Sequence, residues 1–214
     1  MPVNDALATT TRAAHDVGLA AWLGGAMFGK FAHNPSLVRI ASHTERGAVA
    51  NTAWNAYNPI NAVGLGVAAL GWGAARFTQT RPDNLTGVER TLSTIKDVLM
   101  GAAVVSGVAN GIQGARLARQ APDGAVAVET GTTPAPETPP PAARIQRSLR
   151  LLGNLNIASG VALVAVNGVL AQTNHDHPAP RRALPTDGGL SPLWIGSALS
   201  TALAALDETR RKVA

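Results

Sequence analysis

The 214-residue chain contains no cysteine. That excludes disulfide cross-links, thiolate metal sites and a cysteine nucleophile. Aromatic residues are scarce at 4%, and charged residues make up only 14%, where soluble proteins carry roughly 25%. The shortage of charge is concentrated in particular places. Residues 47–75, 98–115, 151–173 and 188–206 contain no Asp, Glu, Lys or Arg at all. Uncharged stretches of about 20 residues match the hydrocarbon thickness of a bilayer. The signatures of several enzyme classes are missing too. There is no HExxH helix, and Gly64, Gly66 and Gly71 lie inside an apolar run instead of after a strand, so they cannot cradle a phosphate. Ser191, followed by Pro192, reads as a helix cap, not a nucleophile. The expectation is a non-enzyme without a cofactor.

What is present fits an all-α fold, a transmembrane helical bundle of four to five helices forming one membrane domain over 1–214. The candidate helices are 14–32, 59–77, 96–116, 149–172 and 192–210. The fourth holds 21 residues without a charge, Leu151 to Ala171, long enough to span. The second is placed to open on Pro59, with Trp54 and Tyr57 towards one interface and Trp72 towards the other. The last, with Leu199, Leu203 and Leu206 on one face, either spans or lies in the interface. Arg81, Arg90 and Lys96 read as a basic loop that leads into the third apolar run, Val98 to Gly114, with Lys96 at the edge of the candidate helix. Residues 121–143, rich in Pro, Thr and Glu, read as a disordered linker outside the bilayer.

The net charge is +5. In a soluble protein that would suggest nucleic acid. Here the arginines flank apolar runs, where they meet lipid headgroups and set topology, so the expected partner is the bilayer and not nucleic acid. With five spans, a cytoplasmic C-terminus places the larger share of the cations inside. The Ala-rich bias, with Arg over Lys, suggests a high-GC bacterium and a multi-pass plasma-membrane protein. A mean hydropathy of only +0.10 keeps a soluble helical bundle as a rival reading.

Two residue sets are candidates for function. Small residues at fourfold spacing, Gly25 and Gly29, Gly64 and Ala68, and Ala103, Gly107 and Gly111, suit close helix packing, with itself or with other membrane proteins. Asn61, Asn110, Asn154, Asn156 and Asn167 interrupt the apolar runs and are expected to face the bundle interior. If they pair between helices they are polar glue, whereas if they face one cavity they form a path for a solute.

The pattern H-x6-W-x-G-G, formed by His15, Trp22, Gly24 and Gly25, resembles the first helix of CopD-like copper-resistance proteins and of uncharacterised actinobacterial multi-pass proteins. The resemblance covers about a dozen residues, and it implies His15 as a haem or copper ligand. No other apolar run contains a histidine that could serve as the second ligand at similar depth, and His33 lies about 27 Å further along the same helix. His175 and His177 are weaker candidates, a loop H-x-H around Asp176. Three function classes follow. The first is a structural or interaction subunit of a membrane assembly, favoured by the absence of charge inside the spans. The second is a small transporter or pore-forming, holin-like protein. The third is a haem or copper protein built on His15.

Overall fold

The computed structural model describes residues 3–77, 80, 85–122 and 125–176. Among the described residues there are four long helices: α1 (Val3–Phe28), α3 (His43–Phe77), α4 (Gly87–Ala118) and α5 (Pro140–Asp176). A π turn (Gly29–His33), one α turn, α2 (Asn34–Ser36), and a 3-10 turn (Leu37–Arg39) join α1 to α3. The helices run up and down in sequence order. α1 packs closely on α3 and α4 on α5, α1 also touches α5, and α3 meets α4 only sparsely.

Each helix extends beyond its expected bounds, for identifiable reasons. α4 starts at Gly87 because Thr86 and Glu89 form a capping box, each satisfying the other's backbone N–H. That signature brings Lys96 inside the helix and not into a loop. α3 starts at His43, so Pro59 stands within it and not at its first turn. Pro59 has no N–H to give the Asn55 carbonyl four residues back. α5 opens on the prolines from Pro139, whose fixed φ suits a first turn. The candidate helix 192–210 lies outside the described residues.

Residues 121–143 are not a disordered linker. They contain a two-stranded antiparallel hairpin, β1 (Val128–Thr130) and β2 (Thr133–Pro134), before α5 begins. The short run Ala125 to Val128 supplies the apolar residues that Pro and Thr hide in the composition, and Val126, Ala127 and Val128 are buried. An isolated hairpin is marginal in water; this one is docked. Gly47 lies under the Val126 carbonyl and Gly131 over Asn34, with no room for a Cβ at either place. The buried Arg46 guanidinium donates to the carbonyls of Ile40 (2.7 Å), Glu129 (3.0 Å) and Val38 (3.3 Å). His43 bridges Glu129 (Nε2, 3.0 Å) and Glu137 (Nδ1, 2.7 Å).

The Glu137 carboxyl is held below its ordinary value, first by its own backbone N–H and then by the His43 hydrogen bond. A depressed carboxylate adds stability above its unfolded pKa of about 4.5, and that stability is lost as the pH falls through the folded value. Hydrogen exchange at residues 126–135 is therefore expected to be slow at pH 6 and to quicken, after correction for intrinsic rates, below pH 4.5. Glu137→Gln should flatten that acid limb. An unchanged limb in this variant would remove Glu137 from the clasp.

The core is small and aromatic-centred: Leu19, Trp22 and Leu23 of α1 meet Leu65, Ala68 and Trp72 of α3, with Met100, Ala103, Leu163 and Leu170 closing it. Large apolar side chains also point outwards, among them Val98, Val105 and Ile112 on α4 and Leu151, Val161 and Val169 on α5. His43–Phe77, Gly87–Ala118 and Pro140–Thr173 are long and apolar enough to cross a membrane. Only 28%, 28% and 22% of their most apolar windows are buried within the bundle. α1 is not among them, because its uncharged stretch is short, between Asp16 and Lys30.

Candidate functional site

Where α3 and α4 stand apart, a cavity of about 700 Å³ opens. Its residues come from every long helix and from the hairpin. α3 contributes Asn51, Asn55, Asn58 and Asn61, spaced three and four apart and hence on one face. α4 contributes Asn110, and α5 contributes Asn154 and Asn156. Asn34 lies at the turn after α1, next to Val126, Val128 and Gly131 of the hairpin region. So Asn61, Asn110, Asn154 and Asn156, read separately from three apolar runs, come together on one space. Asn51, Asn55 and Asn58 join them. The signal for these was the four-Asn run between Ala50 and Ala62, which becomes one stripe once α3 is taken back to His43.

The asparagines fall into two kinds. Some are occupied. The Ser106 hydroxyl donates to Asn156 Oδ1 at 2.5 Å, and Lys30 Nζ donates to Asn154 Oδ1 at 2.5 Å. Others are not: Oδ1 of Asn34, Asn61 and Asn110 is buried and accepts no hydrogen bond. A buried amide oxygen without a donor costs about 1–3 kcal/mol, but these three are closed off by neighbouring atoms and do not open onto the cavity; the amides that α3 presents there are those of the exposed Asn55 and Asn58. Two cations, Lys30 and Arg150, line the space, and among the described residues no Asp or Glu does.

Asn167 is elsewhere. It accepts from Lys96 Nζ (2.5 Å) and donates to Asp16 (2.7 Å) at the opposite end of the bundle. Lys96 is only 2% exposed. Its ammonium stands 4.1 Å from the centroid of the Trp72 ring, a cation–π arrangement. The Trp72 indole donates to Asp97 at 2.8 Å, and Asp97 pairs with Arg76 at 3.0 Å. The interior of the bundle is therefore not free of charge, and the argument that favoured a purely structural subunit loses its premise. The loop reading of Lys96 concealed this.

His15 is buried in the same region, and its Nδ1–H donates to the Ala68 carbonyl at 2.6 Å. Nε2 has no partner. Trp72 is its aromatic neighbour, with ring centroids 6.5 Å apart. Among the described residues no group of three or more His, Asp or Glu side chains could hold a metal ion. The His175 side chain and His177 lie outside the described residues.

The small-residue set divides between the α1–α3 crossing and the cavity wall. A Cβ on Gly25 would meet the Tyr57 ring and one on Gly29 the Trp54 ring, while Gly64 faces the backbone of Gly18 and Trp22. Ala68 and Ala103 are fully buried in the core, and Gly107 meets only the Leu65 side chain. Gly111 has nothing within 4 Å of a built Cβ and lines the cavity, so it is not a packing residue among the described residues. Gly18, absent from the expected set, proves central to the crossing. No protein-family model, no curated protein and no solved structure matches the chain.

Proposed function

We propose that this chain is a multi-pass integral membrane protein, of the bacterial plasma membrane, that takes a small polar solute into a cavity between its helices as a transporter does. The observation that carries this reading is the gathering of asparagines from three helices around one space, with Asn55 and Asn58 exposed on its wall. Polar glue would have paired these groups with each other. Membrane placement is supported by the inverted distribution of polarity. Val98 and Val105 look outwards while Lys96, Ser106 and Asn156 are buried; hydrocarbon tolerates the first set, and the second finds partners inside. Membrane cavities for solutes are commonly polar and lie between helices.

A second reading, a subunit that assembles with itself or a larger complex, is supported by Gly101 and Gly168, which lie outside the cavity. No atom of the described residues lies within 4 Å of a Cβ built on either of them. Such positions let another helix approach closely.

Two measurements test the first reading. The full chain should stay in the pellet after carbonate washing of membranes. Vesicles containing it should swell in an osmotic gradient of a small neutral polyol such as erythritol, at least several-fold faster than empty vesicles. The pair Asn55→Leu and Asn58→Leu, which strips amides from the exposed wall, should return the rate to that of empty vesicles. Swelling no faster than empty vesicles, with correctly folded protein present, would end the transport reading.

A further inference from the structure

We infer that the cavity selects a hydroxylated solute bearing an acidic group, a phosphate or carboxylate, with the acid held between Lys30 and Arg150. This rests on the cavity reading above and narrows it to a ligand class. The charge of the lining is the first argument. Among the described residues Lys30 and Arg150 are its charged members, and no carboxylate lines the space. The nearest acid of the docked hairpin, Glu129, is already engaged by His43 and Arg46. A cationic solute would have to enter beside two cations without an opposing charge, in surroundings where the interaction between charges is strengthened by the low dielectric. An anion meets the reverse situation.

Geometry places the two cations together. Lys30 Nζ is fixed on Asn154 Oδ1 at 2.5 Å. Asn154 lies one turn beyond Arg150 on α5, so the two share a face. Lys30, Asn154 and Arg150 therefore form one corner of the cavity, at the end where the hairpin sits. A guanidinium offers a planar fork for two acceptor oxygens, and the ammonium adds a point charge with its remaining protons. The other walls carry amides. Each asparagine offers one acceptor oxygen and two donor hydrogens, and Asn55 and Asn58 present theirs on the exposed wall. Hydroxyl groups donate and accept at once, which suits the asparagines, while the wider apolar lining, Trp54, Leu65 and Leu70 among it, suits the carbon face of a sugar ring. An acid at one corner and hydroxyls along the rest is the chemistry of a sugar phosphate or a sugar acid. It is equally the chemistry of an inositol phospholipid headgroup.

Trp54 lines the same space and reports on occupancy through its fluorescence. The full chain in phosphatidylcholine nanodiscs would be titrated with glucose, glucosamine, glucuronate and glucose 6-phosphate, with Trp54→Phe as the control for signal origin. Glucose 6-phosphate and glucuronate are expected to bind at least tenfold more tightly than glucose, and glucosamine more weakly than glucose. Lys30→Met with Arg150→Met should abolish the preference for the acids over glucose. A parallel titration uses nanodiscs containing phosphatidylinositol. A response there, with none to the soluble acids, assigns the same chemistry to a lipid headgroup. Equal binding of glucose and its phosphate, or tighter binding of glucosamine, overturns the acidic-solute inference while the solute cavity stands. A Trp54 signal indifferent to every probe, in protein that resists carbonate and unfolds cooperatively, overturns both.

Discussion

Gly18→Leu is expected to separate α1 from α3 and to lower the stability of the bundle by about 3 kcal/mol or more. A Cβ at this position would stand 2.5 Å from the Gly64 carbonyl oxygen and 2.8 Å from the Ala68 amide nitrogen. Both are backbone atoms, so no rotamer change relieves the overlap, and the helices must move apart. Lipid offers no hydrophobic force to hold them once the surfaces stop matching, because the tails are as apolar as leucine. Movement there also breaks the His15–Ala68 hydrogen bond and exposes Trp22, which is fully buried in the core. The measurement is the midpoint of unfolding on titration of mixed micelles with sodium dodecyl sulfate, followed by helical circular dichroism. Gly18→Leu should unfold at clearly lower mole fraction. Gly111→Ala, where a Cβ meets nothing within 4 Å, should match the wild type. A wild-type midpoint for Gly18→Leu would mean that α1 does not cross α3 at this point.

The same crossing shows what the sequence made legible. Gly25, Gly29, Gly64 and Ala68 stand out at fourfold spacing, and all four lie where α1 meets α3 or its aromatic side chains. Gly18 does not stand out, because it is seven residues before Gly25 and the three-residue gap is the pattern the eye follows. Periodicity gives the face of one helix but not which helix meets it. For the same reason the asparagines could be placed in the interior, yet their meeting on one cavity could not be foreseen from one-dimensional spacing. The helix starts were misplaced wherever charge was taken to mean loop. Thr86 and Glu89, as a capping box, carried the correct start of α4 in the sequence itself. The hairpin was hidden by prolines that break helical periodicity without preventing order. Its stability comes from Arg46, His43 and Gly47, distant in sequence and invisible to a local reading.

Lys96→Glu is the second variant expected to have a large effect, a loss of about 4 kcal/mol or more, and Lys96→Met is the comparison that gives it meaning. The ammonium is buried, fixed by Asn167 Oδ1 and set over the face of Trp72. That face is the negative part of the ring quadrupole, so a carboxylate in its place is repelled by the ring. Asp16 and Asp97 add like charges, and Arg12, the nearby cation on α1, is exposed to its surroundings. The shorter glutamate also leaves space where the lysine stem was packed. Methionine keeps that volume and removes the charge. Replacing a buried charge by an apolar group of similar size is often neutral or stabilising, and Asn167 retains its bond to Asp16. Lys96→Met is therefore expected to fold within about 1 kcal/mol of the wild type in the same detergent titration. That outcome would make the stability of the bundle independent of a charge that is costly to keep away from water, and a costly charge that folding does not need points to activity. Vesicle swelling by Lys96→Met would then separate the two roles. Unchanged swelling would leave the lysine no part in solute passage. Stability of Lys96→Glu equal to that of Lys96→Met would show that position 96 is not enclosed by Trp72 and Asn167.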